Sequence, residues 1–205
     1  MGEAAAGIVF VALAYLLGGV PWGIVLGRVF QQTDLRDYGS GGTGATNALR
    51  VLGWRISVAV LILDFLKGFL PVLVARRLGL DGWWTAAVAV AAVAGHCWSP
   101  YIGLRGGKGM ATGAGAAAAL YPAVLLAAPL VVVIVALSRY VSLASLTVSV
   151  VVSLILVGMA AAGQIAWSVA AGVVFITAII VYKHESNIKR LLAGTERRFG
   201  ERAAS

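Results

Sequence analysis

Charged residues are scarce in this chain of 205 residues, where Asp, Glu, Lys and Arg together make up only 12%. Ordinary soluble domains carry about twice that share. Hydrophobic residues account for 60%, and the 26 glycines come in addition. A water-soluble globule could not bury so much apolar surface. A disordered chain is also excluded, because disordered chains have low hydrophobicity. The composition therefore predicts an all-α polytopic membrane protein.

Cysteine is nearly absent as well. Cys97 has no second cysteine to pair with, so an intrachain disulfide is excluded. The cysteine content therefore does not indicate whether the protein lies in an oxidising or a reducing compartment. Together with His96 it is too small a set for a metal site, which needs three or four ligands. The first residues, Met-Gly-Glu, lack the basic segment of a cleavable signal, so we expect the first apolar run to be retained.

The gaps between charged residues predict the membrane spans, because a membrane helix needs about 20 mostly apolar residues. The uncharged stretch 109–138 is too long for one span and short for two. Two crossings put most of the 16 basic residues on one side, as the positive-inside rule requires. The net charge of +8 follows from these flanking residues, so nucleic acid is not expected as a partner. We predict one membrane domain over 1–205, with the N-terminus outside, a cytoplasmic tail at 184–205 and about seven spans: 5–28, 54–75, 83–100, 109–121, 122–138, 141–161 and 165–183.

The loop between the first two predicted spans is dense in glycine and small polar residues, with the sequence Gly-Ser-Gly-Gly-Thr-Gly-Ala-Thr-Asn at 39–47. It spells a dinucleotide-binding fingerprint, which we reject because a membrane helix precedes it instead of a strand. Glycines still let backbone N–H groups converge on an anion, and Arg50 can add a bidentate contact to phosphate. We interpret the loop as an anion cradle, with a flexible turn as the alternative. Its neutral donors are Ser40, Thr43, Thr46 and Asn47.

A second loop, Arg-Gly-Gly-Lys-Gly at 105–109, repeats this chemistry. It departs from the P-loop pattern, because Gly109 stands where Ser or Thr should follow the lysine. Lys108 among glycines at the start of a helix is nevertheless typical of a phosphate site; a basic topology marker in a tight turn is the alternative. His96 lies before this loop, near the end of the third span, where a lone histidine is more often a hydrogen-bonded structural residue.

Two charges lie inside the second predicted span. Asp64 and Lys67 are spaced i, i+3 and can neutralise one another on one helix face. Charges inside a membrane are costly and often functional, but a buried structural pair fits the pattern equally well. If these residues belonged to an anion path, the chain would be a small transporter of a phosphorylated or anionic solute. The one-sided polar loops and the lack of an internal repeat argue against that function.

The tail opens on a cluster of polar residues. If the seventh helix continues, Lys183, Asn187 and Arg190 stack on one face, with His184 beside Asn187. That arrangement favours a binding site, with a polybasic stretch for lipid headgroups as the alternative. Further along, Glu196 is expected to pair with basic neighbours.

These segments together resemble the bacterial acyl-phosphate:glycerol-3-phosphate acyltransferase family (PlsY type), and the match covers almost the whole chain. The motifs that match in order are Gly39-Ser-Gly-Gly-Thr-Gly-Ala-Thr-Asn47 with Arg50, Asp64-x-x-Lys67-Gly68, Gly95-His96, Gly106-Gly-Lys108-Gly-x-Ala-Thr112, Arg139-Tyr-x-Ser142-Leu and Lys183-His-x-x-Asn187-Ile-x-Arg190. One departure is Gly42-Thr43, where an Asn-Pro or similar pair is common in the family.

The resemblance implies an enzyme that transfers a fatty acyl group from acyl phosphate to the 1-hydroxyl of glycerol 3-phosphate. Its products are 1-acylglycerol 3-phosphate (lysophosphatidic acid) and phosphate, for phospholipid biosynthesis. It also implies seven spans in the bacterial cytoplasmic membrane, with the active site facing the cytoplasm. The partners are then the two substrates and membrane lipids, with no cofactor and no metal. The sequence does not fix the oligomeric state.

The same resemblance implies roles for individual residues. The catalytic set is Ser40, Asn47, Arg50 and His184. The substrate-binding set is Gly41, Thr46, Lys67, His96, Gly106, Gly107, Lys108, Gly109, Thr112, Ser142, Lys183 and Asn187. Acyl phosphate is already activated, so no covalent enzyme intermediate is needed. The proton of the attacking hydroxyl passes either to a substrate phosphate oxygen or to His184.

Overall fold

A computed structural model describes residues 2–200 of the chain. Those residues form α-helices and short 3₁₀ helices with no strand among them, so the predicted all-α class is confirmed. The helices are α1 (Glu3–Gly19), α2 (Trp22–Gln31), α3 (Ala45–Leu52), α4 (Trp54–Arg77), α5 (Gly82–Cys97), α6 (Met110–Leu120), α7 (Ala128–Ser138), α8 (Val141–Ala161), α9 (Trp167–Lys183) and α10 (Glu185–Leu192). The 3₁₀ helices are Leu35–Asp37, Pro100–Ile102 and Pro122–Ala127.

Proline and glycine set the ends of several helices. Pro21 lacks an N–H and separates α1 from α2 inside the stretch predicted as the first span. Gly53 takes a φ of 85° between α3 and α4, a conformation that favours glycine. Pro122 directly follows the residue after α6 and opens the 3₁₀ turn that leads to α7. The first polar loop therefore contains a helix of its own, α3, which places Arg50 on a regular element.

Three helices run in the same direction. The start of α5 packs against the start of α9, where Gly82 meets Ser168, and the end of α5 accepts a hydrogen bond from Lys183 at the end of α9. The start of α1 lies beside the start of α5, with Gly7 against Trp84. The three helices therefore begin at one end of the bundle and finish at the other, where the glycine-rich loops lie.

The outside of the bundle is apolar. Leu126 and Leu137 are more than four-fifths exposed, whereas the buried positions of α5 hold small residues such as Ala89 and Ala92. Small residues let membrane helices approach closely, and exposed large apolar side chains suit lipid. Among the described residues, three segments are long and apolar enough to cross a bilayer: Glu3–Gln31, Trp54–Arg77 and Val141–Ala161. The helices α9 and α10 pass the same test together as a bent pair. The chain is an integral membrane protein, while the count of seven spans and their orientation stay predictions.

The last long helix does not continue into the tail. α9 ends at Lys183 and meets α10 at an angle of 61°. The ring of His184 closes the last turn of α9, since Nδ1 donates to the carbonyl of Ile180 at 2.8 Å. The bend turns Lys183 away from Asn187 and Arg190 and towards α5, so the predicted stack of these three residues is wrong.

Candidate active site

Asn47 organises the first polar loop from the first turn of α3, where it is only 3% exposed. Its Oδ1 accepts a hydrogen bond from the N–H of Ser40 at 3.0 Å. Its Nδ2 donates to the carbonyls of Leu35 at 3.0 Å and Gly42 at 2.9 Å. Gly39 has a φ of 62°, and a Cβ there would overlap Asn47 Oδ1. The amide of Asn47 is thus engaged with the loop backbone, which it folds around Ser40.

Asp34 fixes the start of this loop. Its Oδ1 accepts the N–H of Arg36 at 3.0 Å, and its Oδ2 pairs with Arg36 at 2.7 Å and Arg28 at 2.8 Å. The hydrogen bond from the Arg36 guanidinium holds the pKa of Asp34 far below its usual range. A cavity of about 370 Å³ separates the first loop from the second and is lined by Arg36, Asp37, Gly41, Arg105 and Gly106. Two arginines and one acidic residue, Asp37, therefore line a space large enough for a phosphate.

Lys108 ends the second loop, directly before α6. Gly109 takes a φ of 82° and packs against Val93, and α6 begins at Met110. No described side chain caps α6, so its first N–H groups are left to favour an anion. Burial lowers the pKa of Lys108 to about 8, although the carboxylate of Glu196 acts in the opposite direction. Lys108 is therefore a partly desolvated cation at neutral pH.

Asn187 joins the tail to the second loop. Lys108 Nζ donates to Asn187 Oδ1, and Asn187 Nδ2 donates to Glu196 Oε1 at 2.6 Å. The same carboxylate accepts hydrogen bonds from Ser142 at 2.9 Å and Arg190 at 2.8 Å. Burial works to raise the pKa of Glu196, but these donors hold it below its usual value. The ionised Glu196 therefore sets the directions of three polar side chains around Lys108.

His184 lies beside this cluster and is 3% exposed. Because the carbonyl of Ile180 can only accept, His184 Nδ1 carries the proton in their hydrogen bond and Nε2 keeps its lone pair. Burial lowers the pKa of His184 to about 4, and the cation of Lys108 adds to this effect. The imidazole is therefore neutral at pH 7 and can accept a hydrogen bond at Nε2.

An apolar cleft of about 150 Å³ begins two residues after Lys108 and lies between α6, α7, α8 and α9. Its polar lining residues are satisfied locally, since the hydroxyl of Thr177 donates to the carbonyl of Ser149 at 3.2 Å. The cleft therefore offers an alkyl chain an apolar surface. Among the residues that line it are Met110, Gly113, Ala117, Val148, Val173 and Ile176.

Comparison with known proteins identifies the family. A family model described as "Glycerol-3-phosphate acyltransferase" matches residues 8–194. The protein of that name from Thermus thermophilus is 43% identical over 193 residues, which cover 93% of this chain and 94% of the relative. The chain belongs to the glycerol-3-phosphate acyltransferase family. This confirms the family resemblance that the motifs indicated, and it confirms the prediction that the enzyme is an acyltransferase.

Other relatives of this acyltransferase agree. The glycerol-3-phosphate acyltransferase of Rubrobacter xylanophilus is 43% identical over 201 residues and covers 96% of each chain. A crystal structure of PlsY (YgiH), described as an integral membrane glycerol 3-phosphate acyltransferase in its glycerol 3-phosphate form, matches with a TM-score of 0.87 at 41% identity. It covers 95% of this chain and 96% of the PlsY chain. A lysophosphatidic acid form matches with a TM-score of 0.85 at 39% identity over the same shares of both chains.

Some residues implied as substrate ligands are buried or engaged elsewhere in this acyltransferase. Lys183 Nζ donates to the carbonyl of Cys97 at 3.0 Å. Thr112 is fully buried on the first turn of α6. Lys67 and His96 are less than a tenth exposed and lie beneath the second loop. The opening of the site therefore does not contain these four side chains.

The remaining implied residues lie on the first loop and on α3. Ser40 and Gly41 are exposed, and Gly41 lines the cavity between the two loops. Thr46 and Arg50 are partly exposed and lie four residues apart on α3, so they share a face. The first loop thus offers a hydroxyl, backbone groups and a guanidinium next to the second loop.

Three charged residues of the site were missed as site candidates from the sequence: Glu196, Arg36 and Arg105. The pairing of Glu196 with a basic neighbour is confirmed by its contact with Arg190, but its central place beside Lys108 was not expected. A carboxylate does not suggest a phosphate site by its own charge. Arg105 could have been predicted as a phosphate-binding candidate from the sequence, since it lies in the same glycine-rich loop as Lys108.

Proposed function

We propose that this chain transfers a fatty acyl group from acyl phosphate to the 1-hydroxyl of glycerol 3-phosphate, giving lysophosphatidic acid and phosphate. One observation carries the proposal. Lys108 and Asn187 meet beside an apolar cleft that begins at Met110, so groups suited to phosphate lie next to space suited to an alkyl chain. The glycerol 3-phosphate and lysophosphatidic acid forms of the similar PlsY structures support the same substrate and product.

Glycerol 3-phosphate binds with its phosphate against Lys108 and the first N–H groups of α6. Charge-assisted hydrogen bonds are the stronger ones, and a helix N-terminus adds to them. Gly106 and Gly107 let the phosphate approach the loop backbone closely. Asn187, held by Glu196, keeps Lys108 directed into the pocket.

Acyl phosphate binds with its phosphate between the two loops and its chain in the apolar cleft. The loop cavity offers Arg36 and Arg105, Ser40 of the first loop is exposed, and the guanidinium of Arg50 lies close enough to Lys108 to lower its pKa. A guanidinium can contact two phosphate oxygens at once. The carbonyl carbon of the donor then lies between the donor phosphate and glycerol 3-phosphate.

The reaction needs no protein nucleophile, because phosphate is a good leaving group from a mixed anhydride. The 1-hydroxyl oxygen attacks the carbonyl carbon, the carbon–oxygen bond to phosphate breaks, and phosphate leaves with the electron pair. With a pKa of about 4, His184 is a weak base, so a substrate phosphate oxygen takes the proton of the 1-hydroxyl, while His184 Nε2 accepts a hydrogen bond from the neighbouring 2-hydroxyl and so orients the glycerol. Backbone N–H groups and Arg50 stabilise the developing oxyanion.

The site faces the cytoplasm of a bacterial cell, with about seven spans in the cytoplasmic membrane and the N-terminus outside. The common direction of α1, α5 and α9 supports this arrangement, since the N-terminus and the site loops lie at opposite ends of the bundle. A membrane-impermeant thiol reagent should label Lys189→Cys only from the cytoplasmic side and Arg77→Cys only from the outside. Labelling of both from one side would overturn the orientation.

The activity is tested with purified protein, acyl phosphate and radiolabelled glycerol 3-phosphate. We expect labelled lysophosphatidic acid and an equal amount of phosphate, and no comparable product when acyl coenzyme A replaces acyl phosphate. If sealed vesicles containing the protein take up label without forming product, the chain is a transporter and the proposed reaction is wrong.

A further inference from the structure

Asp64, Lys67 and His96 form a buried polar cluster beneath the second loop. Lys67 Nζ lies 2.7 Å from Asp64 Oδ1, and His96 Nδ1 lies 3.7 Å from the same oxygen. The three side chains are 2%, 6% and 5% exposed. Burying an ion pair gains little stability over an apolar pair of the same size, so the cluster needs another explanation.

His96 holds the second loop with its backbone and its ring. Its carbonyl accepts the N–H of Gly107 at 3.1 Å, and a Cβ on Gly106 would overlap that carbonyl. A Cβ on Gly107 would overlap Nε2 of the His96 ring. The ring therefore packs directly on the residue before Lys108, while its other nitrogen faces Asp64.

Lys67 connects the same cluster to the break between α1 and α2. Its Nζ donates to the carbonyl of Val20 at 2.8 Å. Pro21, which follows Val20, interrupts the helix there. Lys67 therefore connects Asp64 to the residue directly after α1, and it satisfies a carbonyl at the helix break.

We propose that Asp64, Lys67 and His96 are positioning residues for glycerol 3-phosphate binding. The side chain of Asp64, whose charge Lys67 neutralises, lies against the ring of His96; the ring packs against Gly107, and Gly107 sets the direction of Lys108. The inference rests on the proposed function, because it concerns how the loop presents Lys108 to the substrate phosphate. It replaces the direct substrate contacts of Lys67 and His96 that the family resemblance implied.

The test compares Lys67→Met with the double variant Asp64→Asn/Lys67→Met in steady-state kinetics. Lys67→Met leaves an unpaired buried carboxylate, so we expect the KM for glycerol 3-phosphate to rise about tenfold or more, with the KM for acyl phosphate within about twofold. The double variant leaves no buried charge and keeps a side chain of the same shape facing His96, so its KM should return to within about threefold of the wild-type value. Thr85→Val is the control, since it removes a buried hydroxyl at the far end of α5.

Each outcome decides between roles. A double variant as impaired as Lys67→Met means that Lys67 does more than neutralise Asp64, and this overturns the proposal. Loss of apparent kcat with both KM values unchanged means a purely structural role and overturns it too. If the wild-type protein forms no lysophosphatidic acid, the proposed function itself is wrong, and this result is distinguishable from a failure of the positioning role alone.

A second pair of variants keeps the proposal testable if the charge variants do not fold. Gly107→Ala places a methyl group against the His96 ring, and His96→Ala removes that ring. We expect Gly107→Ala to raise the KM for glycerol 3-phosphate less in the His96→Ala background than in the wild type. Equal effects in both backgrounds would show that the ring does not position the loop.

Discussion

Replacing Lys108 with methionine removes the cation of the second loop while keeping most of its apolar stem. The ammonium donates to Asn187, and α6, whose first turn no described side chain caps, begins two residues after Lys108. A hydrogen bond to a charged group contributes about 1.5–3 kcal/mol, which corresponds to a rise of about 10- to 150-fold in the KM for glycerol 3-phosphate. The KM for acyl phosphate should change far less, because its phosphate lies nearer to Arg36 and Arg105.

The assay measures initial rates of lysophosphatidic acid release while each substrate is varied in turn. Lys189→Met is the matched control: it removes the same charge from the exposed face of α10, where Lys189 pairs only with Glu185 among its described contacts. We expect this control to keep wild-type KM values. An unchanged KM for glycerol 3-phosphate in Lys108→Met, or an equal rise in both variants, would refute the assignment of Lys108 to the phosphate.

Three further outcomes are expected. Burial places the pKa of Lys108 near 8, so the free enzyme loses this cation as the pH rises, and kcat/KM for glycerol 3-phosphate should fall about tenfold per pH unit above about pH 8. The variant Lys108→Arg should lack this decline, and a decline that persisted in it would contradict the assignment of Lys108. Asn47→Ala removes several hydrogen bonds of about 1 kcal/mol each, so kcat/KM should drop at least tenfold and the loop should be cut faster by protease; full activity with a protected loop would argue against this role. Ala117→Phe fills the apolar cleft and should lower the relative kcat/KM of long-chain acyl phosphates by about fourfold for each methylene excluded. The lipid-facing control Val133→Phe should leave the chain-length profile unchanged. An unchanged profile in Ala117→Phe would mean that the acyl chain binds elsewhere.

The fold class followed from composition, because so much apolar surface can only be placed in lipid. The direction of the tail did not follow. Lys183, Asn187 and Arg190 have helical spacing, but spacing cannot reveal the bend of 61° at His184, whose ring binds the turn before it. Lys183 therefore lies against α5, although its sequence position suggested the pocket.

The site was visible in the sequence where glycine and cations occur together, as around Lys108. It was hidden where a residue acts through tertiary contacts. Glu196 gathers Ser142, Asn187 and Arg190 from two distant segments, and no local pattern predicts that meeting. The apolar cleft was hidden for another reason, since its lining is indistinguishable from lipid-facing residues in a chain this hydrophobic.

A double-mutant cycle between Lys108 and Asn187 tests most directly whether the second loop and the tail form one phosphate pocket. Lys108→Met, Asn187→Ala and the double variant are compared by kcat/KM for glycerol 3-phosphate. If the two side chains act together, the double variant should be about as impaired as the worse single variant. If the two losses multiply, the residues act independently and the shared pocket does not exist.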